Sequence, residues 1–460
     1  MQTSQKTRLI DAPVGPTLVR LTLPMIIGIL AMIAFNLVDT FFVAQLGTAE
    51  LAAMSFTFPV VLVIGSLAMG LGVGTSSVIS RAIGTGNDQQ VRRLTTDSLV
   101  LSVLIVLVFA IIGFILIDPL FRLLGATDEN LPLIREYMTI WFIGMPFIVI
   151  PMVGNNAIRA TGDTQTPSFV MLVAVAINIV LDPLLIFGIG PFPRLELAGA
   201  AIATVIARAV TFGVAIWVLA KREQMITFIK PTLAEVVRSW RQILYIGLPS
   251  AGTNMILPLA IGVVTSMAAR HGEASIAALG VTTRIDPFAI AVIMALASVL
   301  SPFIGQNWGA GKPERVTLAL KLSYRFALIW GIVMALILAV AARPIATLFS
   351  DNPDVIDLVT LYLRLVPLGY GLQGILLLSN TTLNVLRKPF HASALSLIQM
   401  FVLYIPLATL ASYTLGMPGI FAALLNANII AGVLAYLWVR RTLNIEQRLQ
   451  TSLVQQYRQT

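Results

Sequence analysis

Two aspartates lie where a membrane leaves little reason for a charge. Asp39 stands near the end of the apolar run LPMIIGILAMIAFNLVDTFFVAQ, residues 23–45, one turn after Asn36. No Lys or Arg occurs between Leu21 and Arg81, so no local base pairs with it. A charge at membrane depth is costly and is kept for a purpose. The competing reading is an acid paired to a base to fix helix packing, and the missing base weighs against it. Asp182 is the second acid, in INIVLDPLLIFG, four residues after Asn178 and therefore on the same helix face. Pro183 follows it and frees a backbone carbonyl one turn back. Two acids and an amide can share a proton as a titrating pair, or ligate Na⁺ through oxygen.

Helices that hold such groups in lipid must satisfy their own backbone polar groups. The 460 residues are 57% hydrophobic and 11% charged, with mean hydropathy +0.90. Soluble chains carry about 25% charged residues, so the composition is that of an all-α integral membrane protein. The apolar runs suit helices rather than barrel strands. They give twelve spans, at roughly 17–43, 50–80, 91–118, 131–156, 166–190, 197–220, 242–269, 274–305, 314–342, 354–384, 389–414 and 418–440. Turn chemistry separates them, as in GTGND at 84–88, GPFP at 190–193 and SDNPD at 350–354.

The longest polar stretch divides the chain. Residues 1–225 form a first lobe, 226–241 a cytoplasmic linker and 242–460 a second lobe. Within the linker Thr232 and Glu235 make a capping box after Pro231, which predicts a short amphipathic helix on the membrane surface. The net charge is +9. Its bases crowd into one set of loops, including Arg92, Arg93, Lys221, Arg222, Arg440 and Arg441. The opposite loops hold only Arg122, Arg135, Arg194, Arg270 and Arg343. Both termini are therefore expected in the cytoplasm, with the chain multi-pass in a bacterial inner membrane. The bases meet anionic lipid rather than nucleic acid. Residues 1–15 lack a signal core and cleavage site, so the first span is expected to be retained.

The halves repeat. At an offset of 225, Leu23-Pro24 meets Leu248-Pro249, Gly47 meets Gly272, Ser76 meets Ser301 and Gly84 meets Gly309. Six spans per half predict two six-helix lobes related by a pseudo-two-fold along the membrane normal, with a cleft between them. Depth can be matched at 1.5 Å per residue: Asp39, Asp182, Tyr137 and Thr204 fall about 9–12 Å from the outer ends of their spans. The second half serves as a control. Val264, Phe401 and Ile405 replace Asp39, Asn178 and Asp182, so the scaffold recurs without the acids. A purely structural carboxylate would more readily recur.

Other charges also fall within spans: Arg208, Arg284, Asp286, Lys321, Arg325 and Arg364. Pairing across helices is the expected account of these, with Asp286 a second ionisable candidate. No cysteine is present, and His271 and His391 have no ligand set around them, so thiol and transition-metal chemistry are not expected. GLGVG at 70–74 sits within a span and reads as close helix packing rather than dinucleotide binding. GAGKP at 309–313 has the wrong spacing for a P-loop. No enzymatic motif remains.

Together these segments carry a resemblance. NLVDTFFVAQLG, SRAIGTGN, RATGDTQTP, INIVLDPLLIFG and AGAAIAT, in twelve spans, resemble the multidrug and toxic compound extrusion (MATE) family over essentially the whole chain. Acids confined to the first lobe are similar to its DinF-like prokaryotic branch. The resemblance implies export of amphipathic, often cationic drugs in exchange for H⁺ or Na⁺. It implies Asp39, Asn178, Asp182 and Thr204 as the cation site, with Tyr137 beside it. Asn155 and Met171 would face the drug, and Asn36 joins them as a substrate-binding candidate. No cofactor beyond the coupling ion is expected, and a monomer is expected to suffice.

The expected cycle is alternating access. Neutralising Asp39 changes its hydrogen bonds, and the first helix bends at Pro24, where its ladder already lacks a bond. A proline near a helix start is also simply tolerated. The alternative function is a lipid-linked saccharide flippase of the same two-lobe architecture, which would call for a basic cleft.

Overall fold

The computed structural model describes residues 9–459, with side chains other than those of 36–37, 44, 48–49, 51–52 and 449–459. Among these residues, twelve helical spans are long and apolar enough to cross a membrane. No strand is present among them. The spans follow the apolar runs because a helix is the form that pairs every backbone N–H and C=O within one segment.

The chain divides into two compact units, Leu23–Ala251 and Leu9–Thr22 with Gly252–Thr460. Unit 1 holds α1 (Val14–Ala44) from Leu23 onward, α2 (Thr48–Gly84), α3 (Asp88–Leu123), α4 (Leu131–Ala160) and α5 (Gln165–Phe187). It also holds α6 (Glu196–Trp217), prolonged by a π turn at Val218–Arg222, and the first part of α7 (Leu233–Ala269). Unit 2 holds the rest of α7, α8 (Glu273–Gly309), α9 (Pro313–Phe349) and α10 (Pro353–Leu365). A 3-10 turn at Val366–Gly369 leads to α11 (Tyr370–Val385). A π-helical stretch at Ile398–Tyr404 joins α12 (Pro389–Leu397) to α13 (Ile405–Leu415), and α14 (Met417–Gln459) ends the chain.

Two helices change unit along their length. α1 does so between Thr22 and Leu23, beside Pro24, and α7 between Ala251 and Gly252, just past Pro249. In unit 2 residues 9–12 are tied down by side chains far along the sequence. Asn307 Nδ2 and Arg315 both donate to the Leu9 carbonyl at 3.1 Å, and Lys312 meets Asp11 at 2.8 Å. GAGKP is thus part of an anchor. In unit 1, α1 leans on α5: the Ser168 hydroxyl donates to Met25 Sδ at 3.4 Å, and a Cβ at Gly28 would lie 3.1 Å from Ser168 Cα. The repeat reproduces this contact in unit 2, where Thr253 and Ser393 hydroxyls meet at 2.8 Å.

The core of unit 1 contains Phe121, Tyr137, Trp141, Phe142 and Met145. A second cluster joins Ile83, Leu94, Ile150, Leu219 and Met225 to Ile246 of α7. GLGVG does serve close packing. A Cβ at Gly70 would lie 2.3 Å from the Gly247 carbonyl, and one at Gly74 2.4 Å from that of Ile243. The absent side chains let α2 and α7 approach backbone to backbone.

The linker differs from its expected form. The capping box forms: Thr232 N–H donates to Glu235 at 2.8 Å, and Glu235 N–H to the Thr232 hydroxyl at 3.3 Å. The helix it starts does not end as a short surface element; it runs unbroken to Ala269 as α7. No proline or glycine stops the chain between Leu233 and the apolar run, so the helix propagates. The preceding residues lie along α3, where Thr227 N–H donates to Thr96 at 3.0 Å, and from α7 itself Trp240 Nε1 donates to the Asp97 carbonyl at 3.0 Å. α14 likewise continues past its apolar run, and Glu446 on it pairs with Lys388 at 3.1 Å.

Candidate functional site

The acidic site is assembled within unit 1. Asn178 and Asp182 share one face of α5 and are both fully buried. The Asn178 amide donates to Asp182 Oδ1 at 3.0 Å. The same amide reaches Thr204 Oγ1 on α6 at 3.5 Å, a long contact. Gly199 allows that proximity, since a Cβ there would lie 2.5 Å from the Leu185 carbonyl of α5. At the end of α5, Gly188 closes the helix with φ +71, a left-handed conformation that favours glycine. The turn then returns α6 to its partner, with Leu195 N–H on the Leu185 carbonyl at 2.9 Å.

Asp39 comes from α1 and Tyr137 from α4. Asp39 lies within electrostatic range of Asp182, and both lie within that range of the Tyr137 hydroxyl. Tyr137 itself is packed in the aromatic core of unit 1. Four elements therefore bring Asp39, Tyr137, Asn178, Asp182 and Thr204 together.

Three oxygens of this group have no donor: Asp39 Oδ1, Asn178 Oδ1 and Asp182 Oδ2. An unpartnered buried acceptor costs about 1–3 kcal/mol, and more when charged. A proton on either acid, or a small cation among the oxygens, would remove that cost. No cluster of three or more His, Cys, Asp or Glu occurs among the described residues, so a transition-metal centre has no ligand set here. Two carboxylates, an amide and a hydroxyl form an all-oxygen donor set, which suits H⁺ or Na⁺.

The other candidates are placed separately. Met171 lies against α1, its Sδ 3.2 Å from where a Cβ would stand on Gly28. Asn155 on α4 is buried, with its Oδ1 unpartnered. The side chain of Asn36 lies outside the described residues. Pro24 lies inside an unbroken α1.

Pairing across helices does not account for the remaining intramembrane charges. Asp286 accepts hydrogen bonds from two phenols, Tyr362 on α10 and Tyr370 on α11, rather than from a base. Hydroxyl donors satisfy a carboxylate without a second buried charge. Arg284, Lys321, Arg325 and Arg364 are exposed, with no carboxylate in salt-bridge range among the described residues. Arg208 on α6 also meets no acid among the described residues. Its guanidinium carbon sits 5.4 Å from the centroid of the Phe35 ring on α1. Sequence reading noticed Arg208 but not its place, because Phe35 is one more apolar residue in an apolar run.

The sequence model of the MatE family fits the chain twice, over residues 24–184 and 249–410. The chain belongs to the MATE family. The double match has the same spacing as the repeat of Pro24 at Pro249. A MATE chain is a transporter and not an enzyme, here a multi-pass membrane protein of two six-helix lobes. Among curated relatives, the FAD transporter of Shewanella oneidensis is 42% identical, covering 94% of this chain and 96% of the relative. The multidrug export protein MepA of Staphylococcus haemolyticus is 27% identical, covering 92% and 93%. Among solved structures, the Vibrio cholerae MATE transporter VcmN in its bent form is 31% identical. It covers 96% of this chain and 99% of its own, with a TM-score of 0.89.

Proposed function

We propose that this MATE protein exports an organic solute by alternating access, in exchange for H⁺ or Na⁺ bound among Asp39, Asn178, Asp182 and Thr204. The observation that carries the reading is the set of three oxygens without a donor, on Asp39 of α1 and on Asn178 and Asp182 of α5. The ion neutralises the acids, changes the hydrogen bonds of Asp39 and Asn178, and bends α1 near Pro24, so cargo is released. Paired acids also favour this over a saccharide flippase, whose pyrophosphate cargo calls for a cluster of bases. The test is efflux from vesicles with ΔpH and ΔNa⁺ imposed separately. Export driven by one gradient is expected, and export indifferent to both would sink the reading.

Two cargo classes follow from the relatives. Multidrug export relatives support amphipathic, often cationic drugs. The 42% relative supports flavin adenine dinucleotide, and Arg208, an arginine within the helices of unit 1 that meets no carboxylate among the described residues, favours this second class.

The distribution of Lys and Arg supports an inner-membrane orientation with both termini in the cytoplasm. A reporter fused near Met225 is expected to read as cytoplasmic; an external signal would reverse the topology.

A further inference from the structure

We infer that Arg208, braced on the Phe35 ring, is the residue that recognises a phosphate-bearing cargo. Arg208 lies four residues beyond Thr204 on α6, and Phe35 four residues before Asp39 on α1. Each is on the face of the acidic site, about 6 Å from it between Cβ atoms. α1 and α6, an odd and an even span, cross in opposite senses, so both steps lead to the same level. There the guanidinium carbon stands 5.4 Å from the ring centroid.

Among the described residues no carboxylate lies in salt-bridge range of Arg208, and its guanidinium makes no hydrogen bond. An arginine within a span without a counter-charge marks a functional site by default. The guanidinium is a planar fork whose donors match two phosphate oxygens at once. Phe35, itself 7% exposed, lies against the guanidinium through its ring, a contact that takes up none of the guanidinium's N–H donors. The position also answers an electrostatic problem. The ionised carboxylates of Asp39 and Asp182 would repel an anionic cargo one turn away, and a fixed cation between them and the cargo offsets that repulsion. A structural pin between α1 and α6 would need only an apolar side chain in place of Arg208.

The inference rests on the flavin-dinucleotide reading of the cargo. The test uses riboflavin, flavin mononucleotide and flavin adenine dinucleotide, which share a ring and carry no, one and two phosphates. Binding to purified protein and efflux from vesicles are measured for wild type, Arg208→Met, Arg208→Lys and Phe35→Leu. Arg208→Met is expected to weaken dinucleotide binding at least tenfold, the mononucleotide less, and riboflavin hardly at all. Arg208→Lys keeps the charge without the fork and should fall between. Phe35→Leu should weaken the dinucleotide several-fold. Equal losses for riboflavin and dinucleotide would make Arg208 a packing residue and overturn the inference. Unchanged dinucleotide binding in Arg208→Met would overturn it while leaving the cargo reading intact. Wild-type protein that binds and exports none of the three would reject the cargo reading itself.

Discussion

Asn178 donates to Asp182 at 3.0 Å along α5, and the carboxylate's second oxygen is left without a donor. One oxygen is held by the fold and the other is open to whatever ion arrives. The amide sets the orientation of the acid and does not neutralise it. Asp286 in unit 2 is the contrast, because Tyr362 and Tyr370 each occupy one of its two oxygens.

That contrast predicts different mutational behaviour. Asp39→Asn and Asp182→Asn should each lower cargo-driven proton or Na⁺ flux at least tenfold, about 1.4 kcal/mol or more in coupling. The amide is near-isosteric but takes up no proton. Asp286→Asn should lower the melting temperature in detergent and leave flux per folded molecule unchanged. Uncoupling by Asp286→Asn, with coupling retained in Asp39→Asn, would move the ion site to the other unit.

Close approach of α2 to α7 gives a stability prediction. Gly70→Val should destabilise unit 1 by about 1–3 kcal/mol, because the new side chain meets the Gly247 carbonyl. Gly65→Ala is the control on the same helix, where a Cβ would find nothing within 4 Å. Thermal unfolding of both variants checks it: an equal loss would mean that the Gly70 contact is loose.

Pro24→Ala restores a backbone donor to α1. Cargo affinity should be little changed, while turnover slows several-fold because a stiffer helix resists bending. Stopped-flow efflux against equilibrium binding separates the two. Wild-type turnover in this variant would remove the hinge.

Much of this was legible in the sequence, for definable reasons. Lipid enforces long apolar runs, so the twelve spans could be counted. Asp39 and Asp182 stood out because charge in such a run is rare, and Asn178 followed from helical spacing. Thr232 and Glu235 declared their cap through three-residue spacing. What stayed hidden depends on contacts across helices. Nothing local tells that Tyr362 and Tyr370, on either side of a 3-10 turn, converge on Asp286. Nor does any pattern mark Phe35 as the residue beneath Arg208. The continuity of α7 was missed because polar residues at its start suggested a separate surface helix, although helix formation is indifferent to that change of polarity.

The anchoring of Leu9 has a consequence for biosynthesis. Its carbonyl accepts from Asn307, 298 positions later, and from Arg315, 306 positions later. At roughly 5–20 residues per second, the Leu9 carbonyl waits on the order of 15–60 s for those partners to be made. The Leu9 carbonyl is completed only once residues some 300 positions later have been made. A ribosome stalled after α6 leaves the carbonyl of Leu9, and that of Ala12, which also accepts from Arg315, without the donors that complete them.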